Sequence, residues 1–313
     1  MINNFSHAIM FHHFHNSVHP SGQGSIDGQT FHKMIRWLKK NYNLLSAEAF
    51  YDKAINRKLI DRDISLSFDD ALLCQYDIAL PILEEENIKA FFFIYSAPLK
   101  GKAENLEVFR YFRCVNYKST EKFYIDFFQV VKNDFTKIYN EGANNFDQDS
   151  FLIEYPFYSS EDKWFRYIRD FLLNKNDYEN VMFKIMKKRK FNYKEILKQL
   201  WMSELNIRKL SQNNHVIGLH SYNHPTMINM LTESKQEEEY RMNKAHLEEI
   251  IYPQTIKTMS HPCGRYNKAT LKVLKKLDIK LGFKSNITVK STVKSLLEIP
   301  REDHSNILKY MNL

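Results

Sequence analysis

The sequence predicts an α/β fold, a barrel of parallel strands interrupted by a large α-helical insertion, and three observations predict it. Short apolar runs alternate with helical stretches, polar clusters rich in His and Asp follow several of those runs, and a long middle segment carries helical periodicity only. With 313 residues, 43% of them hydrophobic, the chain can bury a core of barrel size. Its 8 Gly and 8 Pro argue for packed elements with short connections.

The predicted strands are Ala8 to Phe11, Ile64 to Phe68, Ala90 to Tyr95, Val216 to Leu219, Leu281 to Phe283 and Leu296 to Ile299. After the second, Leu72, Leu73, Tyr76, Leu80 and Leu83 recur at helical spacing and predict a helix from about Ala71 to Asn87. Asp69 and Asp70 then fall on a strand-to-helix turn. Barrels of this class place their chemistry on the loops after the strands, and several polar clusters occupy such positions. His12, His13 and His15 follow the first strand, His220 and His224 follow Val216 to Leu219, and Arg301 to His304 follow the last apolar run. The segment Ser260-His261-Pro262-Cys263-Gly264 precedes another helix.

The insertion is read at 98–212, which divides the barrel into 1–97 and 213–313. Within it, Ser159-Ser160-Glu161-Asp162 has the form of an N-terminal cap, followed by an apolar stripe of Trp164, Ile168, Phe171 and Leu172. Tyr193 to Leu210 carries a second stripe. No repeat period suggests a solenoid.

A net charge of +8 suits an anionic partner such as a phosphate-linked sugar, yet no zinc-finger or RNA-binding signature accompanies it, so nucleic acid is not expected. Cys74, Cys114 and Cys263 are odd in number and widely spaced, which predicts reduced thiols rather than a disulfide framework. Met1 to His15 lacks the pattern of an export signal and no segment has the 18 or so apolar residues of a membrane span. Both observations predict a cytoplasmic protein without a transmembrane segment.

Two adjacent carboxylates repel unless positive charge lies beside them, and a divalent metal would supply it. His220 and His224, four residues apart, add two imidazoles that share one face where the backbone turns helically. Two imidazoles and one carboxylate leave positions open for water and substrate, the donor set of a catalytic zinc site.

These stretches resemble the carbohydrate esterase family 4 polysaccharide deacetylases, whose hallmarks are T-F-D-D-G and H-[ST]-x-x-H-P. Here they read Ser67-Phe68-Asp69-Asp70-Ala71 and His220-Ser221-Tyr222-Asn223-His224-Pro225. The second match is complete; the first has Ser67 for Thr and Ala71 for Gly. Ser260 to Asn267 is similar to the family's Pro-x-Gly segment in the form that lacks the usual upstream Arg, and Ile299-Pro300-Arg301 offers Arg301 as its substitute. The resemblance covers about residues 5–96 and 213–304.

It implies a distorted (β/α)7-type barrel, a metal held by Asp70, His220 and His224, and Asp69 as general base. The expected reaction removes an N-acetyl group from an amino sugar, soluble or linked to a nucleotide or lipid. An N-deformylase at the same site and a catalytically silent carbohydrate-binding protein are the alternatives. For the general acid the family's L-x-H pattern is missing, which leaves His13, His304 and His261 open, the first two ranked ahead because they follow strand ends.

Overall fold

The computed structural model describes residues 5–153, 158–285 and 295–312. They divide into two compact units, one of residues 1–104 with 199–313 and one of residues 105–198.

The first unit is a nearly closed barrel of seven parallel strands. They are β1 (His7–Phe11), β2 (Asp63–Asp69), β3 (Phe91–Ile94), β4 (Val216–Leu219), β5 (Thr258–Ser260), β6 (Leu281–Phe283) and β7 (Arg301–Asp303). Hydrogen bonding runs in the order β7-β1-β2-β3-β4-β5-β6, with a short strand Asn43–Leu44 added beside β2. Near the gap between β6 and β7, Ile299 donates its N–H to Gly282 O at 2.8 Å and accepts from Lys284 N at 2.8 Å. Only a glycine fits at 282, because a Cβ there would lie 2.8 Å from the backbone oxygen of Leu297. The last strand therefore lies at Arg301–Asp303, beyond the apolar run Leu296 to Ile299 that predicts it. Thr258–Ser260 is a strand that no apolar run marks.

Alternation on β2 explains why this barrel can hold a charged centre. Ile64, Leu66 and Phe68 lie on one side, Ser65, Ser67 and Asp69 on the other, and all six are buried. Phe68 stacks on Phe92 at 4.8 Å and on Phe11 at 5.3 Å, with Phe31 of the helix Gly28–Asn41 edge-on to Phe11. A second cluster joins Ala8, Phe91, Phe93, Leu281, Phe283 and Ile299 with Phe50 of the helix Ala47–Ile55. Phe91 and Leu281 begin their strands, so this helix packs at the N-terminal end of the barrel, opposite Asp69. Burying each such ring contributes about 1.5–3 kcal/mol.

The turn after β2 departs from the helix expected over Ala71 to Asn87. Asp70 and Ala71 both have left-handed backbone, φ 79° and 55°, which a continuous helix excludes. A π-helical turn, Gln75–Ala79, precedes regular helix at Leu80–Glu85, and its wider winding buries Ile78 and Ala79 where Tyr76 is expected.

The second unit is helical, with Asn105–Asn116, Thr120–Asp134, Thr136–Asn145, Ser160–Tyr167 and Lys175–Lys188 around Phe109, Phe112, Phe123, Phe127, Phe165 and Tyr178. Ser159 and Asp162 form the expected capping box. The stripe that follows does not stay on one side. A π-helical turn at Ile168–Leu172 keeps Ile168 fully buried and leaves Phe171 51% exposed. Residues 199–212 belong to the barrel unit, where the stripe over Tyr193 to Leu210 breaks at Trp201 and Met202. The Met202 N–H donates to Ala71 O at 2.8 Å, which ties this segment to the turn after Asp69 and Asp70. Among the described residues no helix is long and apolar enough to cross a membrane, and no disulfide joins Cys74, Cys114 and Cys263.

Candidate active site

Asp69 closes β2 and is 1% exposed. Its carboxylate accepts two parallel bonds from the Arg301 guanidinium, Nη1 to Oδ1 at 2.7 Å and Nη2 to Oδ2 at 2.8 Å. The fully buried Arg301 is itself fixed by donating Nε–H to Lys284 O at 2.6 Å and Nη1–H to Ser67 Oγ at 3.4 Å. Burial pushes the Asp69 carboxyl up, but the charges of Arg301 and then His220 outweigh it and hold the pKa below its ordinary value. The group is thus an anion poised inside a barrel.

Asp70 follows in left-handed backbone, with its N–H donated to Phe93 O at 3.0 Å. The reversal sends consecutive carboxylates to different tasks. Asp70 Oδ1 lies 3.4 Å from His220 Nε2 and 3.5 Å from His224 Nε2, and this buried oxygen has no hydrogen bond of acceptable geometry. Burial also pushes Asp70 up, and the two close imidazoles, His224 and His220, outweigh it and leave it well below the carboxylate range.

His220 follows β4 and is 2% exposed. Its Nδ1 lies 3.0 Å from Ser260 O, so Nδ1–H donates to that carbonyl and the Nε2 lone pair points at Asp70. Ser260 Oγ bridges the two halves of the site, 2.6 Å from His220 Nδ1 and donating to Asp69 Oδ1 at 3.2 Å. At His224, burial outweighs the Asp70 charge and lowers the imidazole to about 4, which keeps it a neutral nitrogen donor. Tyr95 packs 4.9 Å from the His224 ring and accepts a 2.5 Å bond from Trp201 Nε1.

One donor atom from each of Asp70, His220 and His224 lies within 4.8 Å of the other two. Two imidazole lone pairs converging on an unpartnered buried carboxylate oxygen repel unless a cation lies among them, so this donor set fits a divalent metal.

The remaining sequence candidates are placed as follows. Arg301 reaches Asp69 directly. His12, rather than its neighbour His13, approaches the site, with Nε2 3.9 Å from Asp69 Oδ2 and a side chain 30% exposed. His13 stacks on His12 at 6.3 Å between ring centroids, and its carbonyl accepts from Ile26 N. His304 is 4% exposed, begins the last helix, and stacks on Phe11 at 5.5 Å. His261 is fully buried, donates Nε2–H to Leu297 O at 2.9 Å and stacks on Tyr266 at 4.1 Å, a structural set of contacts. Sequence reasoning missed Ser260 as a bridge and Trp201 as the support of Tyr95; neither carries a spacing signal, because each reaches the site from a distant segment.

The polysaccharide deacetylase family matches residues 162–282, a range that includes His220 and His224 and stops short of Asp69, Asp70 and Arg301. No curated protein matches the chain in sequence. Among solved structures, the Streptococcus pyogenes deacetylase PplD, in complex with acetate, is similar at TM-score 0.57 and 16% identity over 96% of this chain and 93% of its own. IcaB from Ammonifex degensii is similar at TM-score 0.56 and 14% identity, over 96% and 91%. A de-N-acetylase from Aggregatibacter actinomycetemcomitans gives 0.57 and 14%, over 95% and 94%. At these identities the likeness speaks to the fold. Together with the match of residues 162–282 to the polysaccharide deacetylase family, the chain is similar to such deacetylases over this range and shares their fold.

Proposed function

We propose that the protein is a metal-dependent N-deacetylase of amino sugars, with Asp70, His220 and His224 as metal ligands and Asp69 as general base. The observation that carries this reading is the division of labour between adjacent carboxylates. Asp69 is paired with Arg301 through both carboxylate oxygens, while the Asp70 oxygen sits unpartnered between two imidazoles. Two histidines and a carboxylate favour zinc among divalent ions. When bound, such an ion polarises the acyl carbonyl and lowers the pKa of water towards about 7.

The chain's own groups supply the proton traffic. Asp69, held ionised by Arg301, accepts the proton of the attacking water at its Oδ2 side, where His12 and His220 approach to 3.9 Å. His12, the more open of the two, delivers a proton to the departing sugar amine. Ser260 keeps Asp69 and His220 in register through its hydroxyl. The N-acetyl group is favoured by the similar proteins, described as deacetylases, one of them with acetate bound. The charge of +8 fits a substrate bearing phosphate, such as a nucleotide- or lipid-linked sugar.

The test is product release. Zinc-loaded protein is incubated with N-acetylated amino sugars, free, oligomeric and phosphate-linked, and acetate and formate are quantified. Acetate that disappears in Asp69→Asn supports the reading. Silence across the panel refutes it, and formate from N-formylated sugars alone changes the acyl group.

A further inference from the structure

We propose that Glu239, with Asn243 one turn beyond it on the helix Glu233–Ile251, is a positioning residue that holds the loop 220–224 in the geometry its two histidines need to share a metal. This inference rests on the reading of His220 and His224 as ligands. A four-residue offset sets the two side chains on one face of the helix, against the loop. Neither contacts a donor atom.

The loop is not helical, and its geometry is costly. Ser221 and His224 both adopt left-handed backbone, φ 64° and 54°, a conformation that persists in residues with side chains only where the surroundings impose it. Glu239 makes most of the bonds in the middle, beside Ala97 N–H donated to Tyr222 O at 3.0 Å and Lys102 Nζ–H donated to Asn223 Oδ1 at 2.6 Å. Glu239 Oε2 accepts the N–H groups of Tyr222 at 3.1 Å and Asn223 at 2.8 Å, and Oε1 accepts Asn223 Nδ2 at 2.6 Å. Asn243, fully buried, holds the loop at the start. Its Oδ1 accepts His220 N–H at 3.1 Å, and its Nδ2 donates to Ile94 O at 3.0 Å and Ser96 Oγ at 2.8 Å, so one amide joins the ends of β3 and β4. The end of the loop relies on itself, through His224 N–H donated to Ser221 Oγ at 3.1 Å. The rings at the two ends of this loop stand 5.0 Å apart. Releasing its middle frees the backbone to leave the left-handed wells, and that separation is lost.

The same helix provides a control. Glu237 is also acidic, but it pairs with Lys276 at 2.6 Å and makes no bond to the loop. Any effect of removing negative charge near the site is shared by both glutamates, whereas the clamp belongs to Glu239.

The experiment uses the full chain, stripped of metal, with zinc as the probe. Zinc affinity is measured by competition with a chromophoric chelator, and amide exchange over 220–224 is followed without metal, in wild type, Glu239→Ala, Glu239→Gln and Glu237→Ala. Glu239→Ala is expected to bind zinc about ten- to a hundredfold more weakly, the usual cost of losing the group that orients a ligand, and to exchange the Tyr222 and Asn223 amides faster. Glu239→Gln keeps an oxygen that accepts both N–H groups and recovers most of the affinity; Glu237→Ala matches wild type. Wild-type zinc affinity in Glu239→Ala, alongside faster exchange, overturns the proposal, as does equal weakening in all three variants. Zinc refused by the wild type itself overturns it together with the metal reading, a result that the wild-type arm alone reveals.

Discussion

Replacing Arg301 by Met removes one half of a fully buried ion pair and leaves the Asp69 carboxylate with a single remaining neutral hydrogen bond, from Ser260. Two unit charges about 4 Å apart attract by about 4 kcal/mol at an effective dielectric near 20. Breaking a buried pair by deleting one partner costs about 3–5 kcal/mol, because the other charge stays buried. We therefore expect Arg301→Met to lose about 4 kcal/mol in urea unfolding at pH 7. Arg301→Met with Asp69→Asn should lose less than the sum of the singles by about 2 kcal/mol or more, since the double variant buries no orphan charge. The pH dependence supplies an internal check. In the wild type the Asp69 pKa lies below its unfolded value of 3.8, so its stabilisation is present above that value and fades as pH falls through the folded pKa. Without Arg301 its chief opponent is gone and burial moves the folded pKa upward, so the sign reverses: the variant loses stability as pH rises from about 4. The gap between wild type and variant narrows in acid. A loss under about 1 kcal/mol, or additive single and double variants, would refute the assignment of Arg301 as the partner that keeps the base ionised.

Asp69→Asn should retain zinc, because Asp69 is not among the three donors, while acetate release falls by about 10²–10⁴-fold; zinc affinity by titration and acetate assay separate the two effects. A second pH effect comes from histidines remote from the site. Burial lowers His7 to about 4, against a lesser opposing bond to Phe5 O, and burial with the charge of Lys89 lowers His215 to about 4. His215 Nδ1 accepts the Ala90 N–H at 3.1 Å, a bond only the neutral ring can make. Unfolded chains protonate these rings near 6.5 and the folded barrel resists until about 4, so stability is whole above 6.5 and declines as pH falls through that window. Each group loses at most about 3.5 kcal/mol there, the drop from 6.5 to about 4 at about 1.4 kcal/mol per pH unit. Unfolding free energies flat between pH 7 and 4.5 would contradict this.

What the sequence shows of this molecule depends on whether a residue acts through its neighbours in the chain or through distant ones. Asp69-Asp70 after an apolar strand and His220-x-x-x-His224 after another are local patterns, and the barrel places them together because both end parallel strands. Arg301 is legible as the charged residue following Ile299-Pro300, though its strand is not, since Arg-Glu-Asp has no apolar signal and is buried by pairing with β1. Thr258–Ser260 escapes notice for the same reason, and with it the Ser260 bridge. The choice between His12 and His13 lies below the resolution of pattern reading. Both follow β1, and only the path of the chain after Phe11 decides which ring meets Asp69. Glu239 and Asn243 are hidden in a run of charged and polar residues that reads as a solvated helix face. Helical periodicity misleads where π-turns intervene, at Gln75–Ala79 and Ile168–Leu172, because the wider winding turns Tyr76 and Phe171 out of their predicted stripes while Leu80, Leu83 and Ile168 stay buried.

Asp70, His220 and His224 bring their donor atoms together in a set that fits a divalent metal. Elemental analysis of the purified protein, reconstituted with zinc and freed of excess, tests that fit in the wild type and in Asp70→Ala, His220→Ala and His224→Ala. Near-stoichiometric metal in the wild type, lost in each variant while the barrel's circular dichroism persists, is the predicted result. A wild type that takes up no divalent ion, or variants that bind as it does, would contradict it.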